Sequence, residues 1–175
     1  MDLQKSILIA NLYQHGLNAT TTVWIRRNIP EGRYFGVEWH HDLISYRNRV
    51  VRDIVLQQPQ DIEWALFVDN DVTITHPGVE AFLALPSDVG SCDCLMPPGC
   101  DPWQKPGSFH TTFWFARIEV FRRLSPPWFT FGYSADGCEM RACECQGFAE
   151  RAVAAGFTVQ HGGHCGHAHE GKWCG

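Results

Sequence analysis

Ala65-Leu66-Phe67-Val68 runs straight into Asp69-Asn70-Asp71-Val72. Four consecutive apolar residues, with Phe and Val among them, suit a short central strand covered on both faces of a sheet. Two carboxylates separated by one residue then stand at the lip of that sheet. Open α/β folds hold their ligands there, outside the carboxyl ends of the strands. Hard oxygen donors at a strand end suit Mg²⁺ or Mn²⁺, with substrate phosphates completing the shell. Asp and Asn are also common turn residues, so the tripeptide alone fits a plain turn equally well.

The chain around it is that of an ordinary globular domain. Its 175 residues, 45% hydrophobic and 19% charged, suffice for one domain with a core and give no case for disorder. A net charge of −5 argues against nucleic-acid binding driven by bulk charge. The early apolar run Ile7-Leu8-Ile9-Ala10 is too short for a signal-peptide core or a membrane span. Eight cysteines without an export signal point to reduced thiols or metal ligands. A cytoplasmic protein with no transmembrane segment is the expectation.

Several elements follow from pattern. Residues 6–10 read as a first strand, followed by the loop Asn11 to Gly16, where Tyr13 is placed to stack on a ring. Thr21 to Ile25 and Tyr34 to Trp39 are strand-like, divided by a turn at Pro30-Glu31-Gly32. Asp42 caps a helix running to about Gln58, with Leu43, Ile44, Val50, Val51, Ile54 and Val55 on one side. Arg47 falls in the middle of that apolar arc and Asn48 at its edge. A buried arginine is costly unless it meets a carboxylate or an anionic ligand, so one of these is expected. A short helix over Pro77 to Leu85, a strand over Asp93 to Met96 and an irregular loop over Pro97 to Ser108 come next. Phe109 to Ala116 is β-prone, Ile118 to Leu124 a brief helix, and Trp128 to Met140 a loop. A helix from about Ala142 to Gly156 begins with Glu144 near its packed side. Phe157 to Gln160 is a last strand, leading into a His- and Gly-rich tail, His161 to His169, that is a plausible metal-ligating segment.

The order of these parts carries a resemblance. Ile44-Ser45-Tyr46-Arg47-Asn48 on a helix, Phe67-Val68-Asp69-Asn70-Asp71-Val72 at a strand end, Cys143-Glu144-Cys145-Gln146-Gly147-Phe148 opening a late helix, and a final Cys165-Gly166-His167 occur in that sequence. Over residues 6–170 the chain resembles GT-A fold glycosyltransferases. The likeness is greatest to small bacterial and phage members near the large inverting family that includes cellulose synthase-like enzymes. The resemblance implies a single α/β domain over residues 1–175, a mixed, mostly parallel sheet flanked by helices. Residues 1–96 would form the nucleotide-sugar half, and 97–170 the acceptor side and metal-binding tail. It further implies a hexosyltransferase moving sugar from a nucleoside-diphosphate sugar, foremost a UDP-sugar, with Mn²⁺ or Mg²⁺. Asp69 resembles the ribose-side acid and, with Asn11, Tyr13, Arg47 and Asn70, would hold the nucleotide. Asp71, with Asp69, resembles the metal-binding pair, completed by His167; His164 and His169 are rivals. Glu144 resembles the acid that orients or deprotonates the acceptor. Cys145 stands where a second acid is expected, so Asp136 and Glu139 are alternative bases.

Two other classes fit parts of the sequence. Cys92-x-Cys94, Cys100, Cys143-x-Cys145, Cys165 and the histidines suggest a zinc-binding interaction module or an added structural site, although Cys-x-x-Cys spacing is absent. A sugar nucleotidyltransferase also uses acids at strand ends, but Asn11 to Gly16 has a single glycine. The acceptor is open between glycan, lipid, protein and modified nucleic-acid base, in a pocket expected to be lined by Trp103, Trp114, Trp128 and Phe131. Arg47, Arg49 and Arg52 would make a basic strip or a solvated helix face.

Overall fold

Strand β1 (Ser6–Asn11) alternates its side chains so evenly that it sets the layers of the molecule: Ile7 and Ile9 enter one apolar core, Leu8 and Ala10 another. The computed structural model describes residues 1–12, 16–38, 42–74, 78–95, 109 and 111–167, excluding the side chains of Cys94, Leu95, Met140, Arg141 and His167. β3 (Trp64–Asp69) and β6 (Phe113–Arg117) repeat the alternation, with Ala65, Trp114 and Ala116 on the first face and Leu66, Phe113 and Phe115 on the second. The first face is covered by α2 (Leu43–Asp53), α4 (Ile118–Arg123) and α5 (Glu144–Ala154). The second is covered by α1 (Ala19–Asn28) and α3 (Gly78–Leu83). The sheet is thus buried on both sides, which is why its strands read as continuous apolar runs.

Seven strands share this sheet, in the order β2-β1-β3-β6-β5-β9-β4, with β2 spanning Tyr34–Val37, β4 Val72–Thr73, β5 Val89–Leu95 and β9 Val159–His167. β6 is antiparallel to both neighbours and β4 is antiparallel to β9, while the other pairs are parallel. The α/β class and the mixed sheet of the sequence reading are therefore observed, but the sheet is not mostly parallel, since three of its six pairings are antiparallel. One sheet runs through both halves of the chain, since β6 sits between β3 and β5. A small second sheet pairs β7 (Gly132–Tyr133) with β8 (Met140–Ala142).

Three expectations need correction. Thr21 to Ile25 is the middle of helix α1, because Asn18 caps the N–H of Thr20 and Trp24 and Ile25 pack into the core. The 128–140 segment is not wholly loop, since it holds β7 and the start of the hairpin to β8. The last strand does not stop at Gln160 but continues through His167 as β9, between β5 and β4. A bulge lets it stay paired: Ser91 faces His161 and Asp93 faces His164, so two glycines of β9 oppose Cys92. Gly163 adopts φ +70° there, and a Cβ on it would come within 2.3 Å of the Gly78 carbonyl oxygen. Tyr13, Thr75 to Pro77, Pro97 to Ser108 and His169 lie outside the described residues.

Candidate functional site

Asn11 and Asp69 end β1 and β3, face each other in register, and are joined by a bond from Asn11 Nδ2 to Asp69 Oδ1 of 3.1 Å. β1 is flanked by β2 on one side and β3 on the other. The two residues therefore stand at the carboxyl ends of parallel strands where the winding reverses, the position at which open α/β sheets form a ligand crevice. The turn beyond is held from three sides. The Asp69 N–H donates to the Thr112 carbonyl (2.8 Å), the Asn18 N–H to the Asn70 carbonyl (3.2 Å), and the Thr21 hydroxyl to the Val72 carbonyl. Asp69, Asn70 and Asp71 are all half-buried.

β4 returns immediately from this turn and pairs with β9, Val72 opposite His167 and Thr73 opposite Gly166. His167 thus lies opposite Val72, the residue after Asp71. His164 lies three residues back, across from Asp93, and its half-buried ring packs against Gly78.

On the opposite side of Asp69 a small cleft of about 20 Å³ is lined by Asn11, Tyr46, Arg47, Asp69, Thr111 and Phe129 among others. That is room for about one water molecule. Burial, reinforced by the charge of Asp69, pushes the Tyr46 phenol upward, so it stays protonated beside the carboxylate. Next to it, Arg47 takes the carboxylate alternative of the sequence reading: its Nη1 donates to Glu144 Oε1 at 2.5 Å, with side chains only 12% and 8% exposed. The same nitrogen approaches Cys145 Sγ at 3.8 Å, and the guanidinium stands 5.8 Å from the centre of the Phe129 ring. Asn48, one residue on, accepts from the N–H groups of Trp128 (2.7 Å) and Phe129 (3.1 Å) and donates to the Phe129 carbonyl (2.9 Å). α2 is thereby bonded both to α5 and to the segment entering β7.

Asp136 and Glu139 sit elsewhere, exposed on the β7–β8 hairpin. The Ser134 hydroxyl, helped by the Cys138 N–H (3.1 Å), holds the Asp136 carboxyl below the usual carboxylate range. A roomier cavity of about 720 Å³ begins at Leu12 and runs past Ile25, Ile29 and Tyr34.

The structure overturns three finer expectations. Trp114 and Trp128 are buried core residues rather than an acceptor wall, the Trp128 ring N–H donating to the carbonyls of Phe121 (2.8 Å) and Leu124 (3.1 Å). Arg47 and Arg52 form no basic strip, because one turns inward to Glu144 and the other pairs with Asp53. Among the described residues the cysteines build no common site: Cys92 and Cys165 are buried on one side of the sheet and Cys145 on the other. Sequence reasoning missed Tyr46 and Thr111, although Tyr46 adjoins Arg47 and Thr111 opens the approach to β6.

No family model matches the chain, and no curated protein does either. Among solved structures it is similar to "Crystal Structure of A197 from STIV", with a TM-score of 0.56 and 13% identity over 89% of this chain and 80% of that one. At that identity the likeness concerns the fold alone. Among the described residues, no helix is long and apolar enough to cross a membrane.

Proposed function

We propose that this chain is a metal-dependent glycosyltransferase that moves a sugar from a nucleoside-diphosphate sugar, a UDP-sugar first, to an acceptor hydroxyl. The observation that carries the reading is the placement of Asp69 and Asp71 at the switch point of the sheet, with the end of β9 registered beside them. The donor set there fits the ion. Asp69 and Asp71 offer two carboxylates, oxygen donors that accommodate Mn²⁺ and Mg²⁺; His167 by its register position opposite Val72, and His164 as its rival, are the histidines proposed to complete the shell. When bound, the ion supplies positive charge against the negative charge developing on the leaving diphosphate.

The chain's own residues do the rest. Asn11 orients Asp69 through its amide N–H and leaves Asp71 as the principal metal-side acid. Asn70 borders the nucleotide, whose base and ribose have room in the cavity that begins at Leu12, within the usual size range of ligand pockets. Arg47, fixed by Glu144, presents a positive charge to the cleft at Asp69. Glu144 then acts as a positioning residue for Arg47, and Asp136 and Glu139 are the exposed candidates to receive the acceptor's proton.

Thermal-shift titration of the full chain with UDP, GDP and their sugars, with and without Mn²⁺, tests this. At one hundred times Kd a ligand stabilises the folded state by about 2.7 kcal/mol. Metal-dependent stabilisation by at least one nucleotide is expected, and Asp71→Ala should abolish it. Stabilisation by none of them overturns the reading, and full retention in Asp71→Ala overturns the metal assignment.

A further inference from the structure

The start of α5 carries two thiols that the proposed transfer reaction does not use. Cys143 is the N-cap of the helix, and its Sγ accepts the Gln146 N–H at 3.4 Å. Cys145 lies one turn-step further in and is buried, with its Sγ 3.0 Å from the Thr111 hydroxyl and 3.4 Å from Glu144 Oε1. The reactive atoms of Cys143, Glu144 and Cys145 all fall within 4.8 Å of one another. Cys143 is half-buried, so a reagent reaches it, while Cys145 is shielded from solvent. Such a cluster offers donors for a soft cation, but Arg47 already occupies Glu144 at 2.5 Å and stands 3.8 Å from Cys145 Sγ. A fixed positive charge in that place repels a metal ion.

We infer that Cys143 and Cys145 are a redox-active dithiol, with Cys143 the nucleophile toward small-molecule disulfides of the glutathione class and Cys145 the thiol that resolves the adduct. The Cys143 thiolate attacks one sulfur of the disulfide, forms a mixed disulfide and expels one thiolate. Once Cys143 is in the mixed disulfide its sulfur no longer holds the Cys145 S–H, which gives its proton to Glu144 Oε1, 3.4 Å away; Cys145 then attacks the Cys143 sulfur and expels the second thiolate. That proton and the one Cys143 had already lost convert the two leaving thiolates to thiols. The protein disulfide and two reduced thiols are the products, and the small-molecule disulfide is the oxidant. Ring closure takes Cys145 off Thr111 and Cys143 off the Gln146 N–H, so oxidation loosens the first turn of α5 beside the Arg47–Glu144 pair.

The asymmetry of the two thiols supports this order of events. The bond from Cys145, together with the Gln146 N–H, holds the Cys143 thiol down to about 6, while the same pairing and burial push Cys145 up. A thiolate of low pKa is also a weaker nucleophile, so the signature is the pH profile rather than raw speed.

Arg141 and Arg151 bracket residues 142–151, so one tryptic peptide contains both thiols and no other cysteine. The full chain is equilibrated over a series of reduced-to-oxidised glutathione ratios, quenched with N-ethylmaleimide and digested. The expected result is a peptide lighter by two hydrogens, lost in Cys143→Ser and Cys145→Ala. Serine at 143 keeps an N-cap acceptor, so that variant retains the fold. Cys145→Ala should instead accumulate the glutathione adduct at Cys143, and the midpoint of its iodoacetamide pH profile should rise from near 6 toward the ordinary thiol range. An internal disulfide at no ratio, a disulfide through the exposed Cys138, or stoichiometric zinc lost in Cys143→Ser would each overturn the inference.

Discussion

Replacing Glu144 by Gln should cost far more than its modest change in shape suggests. Glu144 and Arg47 have side chains that are 8% and 12% exposed, and 2.5 Å separates the paired atoms. The substitution leaves a guanidinium with no compensating charge under Phe129 and α5. Breaking a buried pair from one side costs about 3–5 kcal/mol. Glutamine retains one acceptor oxygen, which places the loss near the lower end, about 3 kcal/mol. With a urea slope of about 2 kcal/mol/M for a domain of this size, the unfolding midpoint should fall by about 1.5 M. The double variant Arg47→Met/Glu144→Gln removes the charge as well as its partner, and should recover most of that loss, because apolar replacement of a buried pair is often neutral. A loss within about 0.5 kcal/mol for Glu144→Gln, as exposed pairs give, would refute the burial and the pairing on which Arg47's orientation rests.

Asn48→Ala should lower stability by about 2–4 kcal/mol, since it strands the N–H groups of Trp128 and Phe129 that the amide oxygen satisfies; urea unfolding checks it, and a loss below about 1 kcal/mol contradicts the bridging role. Gly163→Ala should be at least as damaging, because it combines φ +70° with a 2.3 Å approach to the Gly78 carbonyl; an unchanged melting temperature would show that β9 is not bulged there. His161 is held below its ordinary pKa by burial, which outweighs the opposing charge of Asp93. The unfolded chain therefore binds its proton first, and stability should fall as pH drops through about 6.5. In His161→Gln that slope should flatten between pH 7.5 and 5.5, and an unaltered slope would refute the assignment.

What the sequence disclosed depended on how local each signal was. The cap at Asp42 was readable because its side chain satisfies the N–H groups of Ile44 and Ser45, a bond made within one turn. The run Ala65 to Val68 was readable because a strand buried on both faces has no polar positions to blur it. Helix α1 was misread because Thr20-Thr21-Thr22-Val23 is β-branched throughout. Its true signal was Thr21, Trp24 and Ile25 at helical spacing behind Asn18, and their burial outweighed the propensity. β9 was cut short for the opposite reason: a segment with three glycines has little strand preference of its own, and only pairing with β5 on one side and β4 on the other makes it a strand. Such partners are distant in sequence and leave no local trace.

The candidate site shows the same division between local and long-range causes. Asp69 and Asp71 were visible as a pair, but their relation to Asn11 depends on β1 lying beside β3, and their relation to His167 on β4 lying beside β9. Arg47 was visible as an anomaly on an apolar helix face, yet the pattern left its partner open between a carboxylate and an anion. The answer, Glu144, lies 97 residues away. This changes what the anomaly implies. An arginine bound to a buried carboxylate is already neutralised in part and held in one rotamer, so it contributes a fixed, moderate charge at the edge of the cleft and not a mobile clamp. Under the proposed transfer reaction, preorganised charge of that kind would cost nothing to orient when the diphosphate arrives. It is also the arrangement most exposed to disturbance at the first turn of α5, where Cys143 and Cys145 sit on either side of the same glutamate.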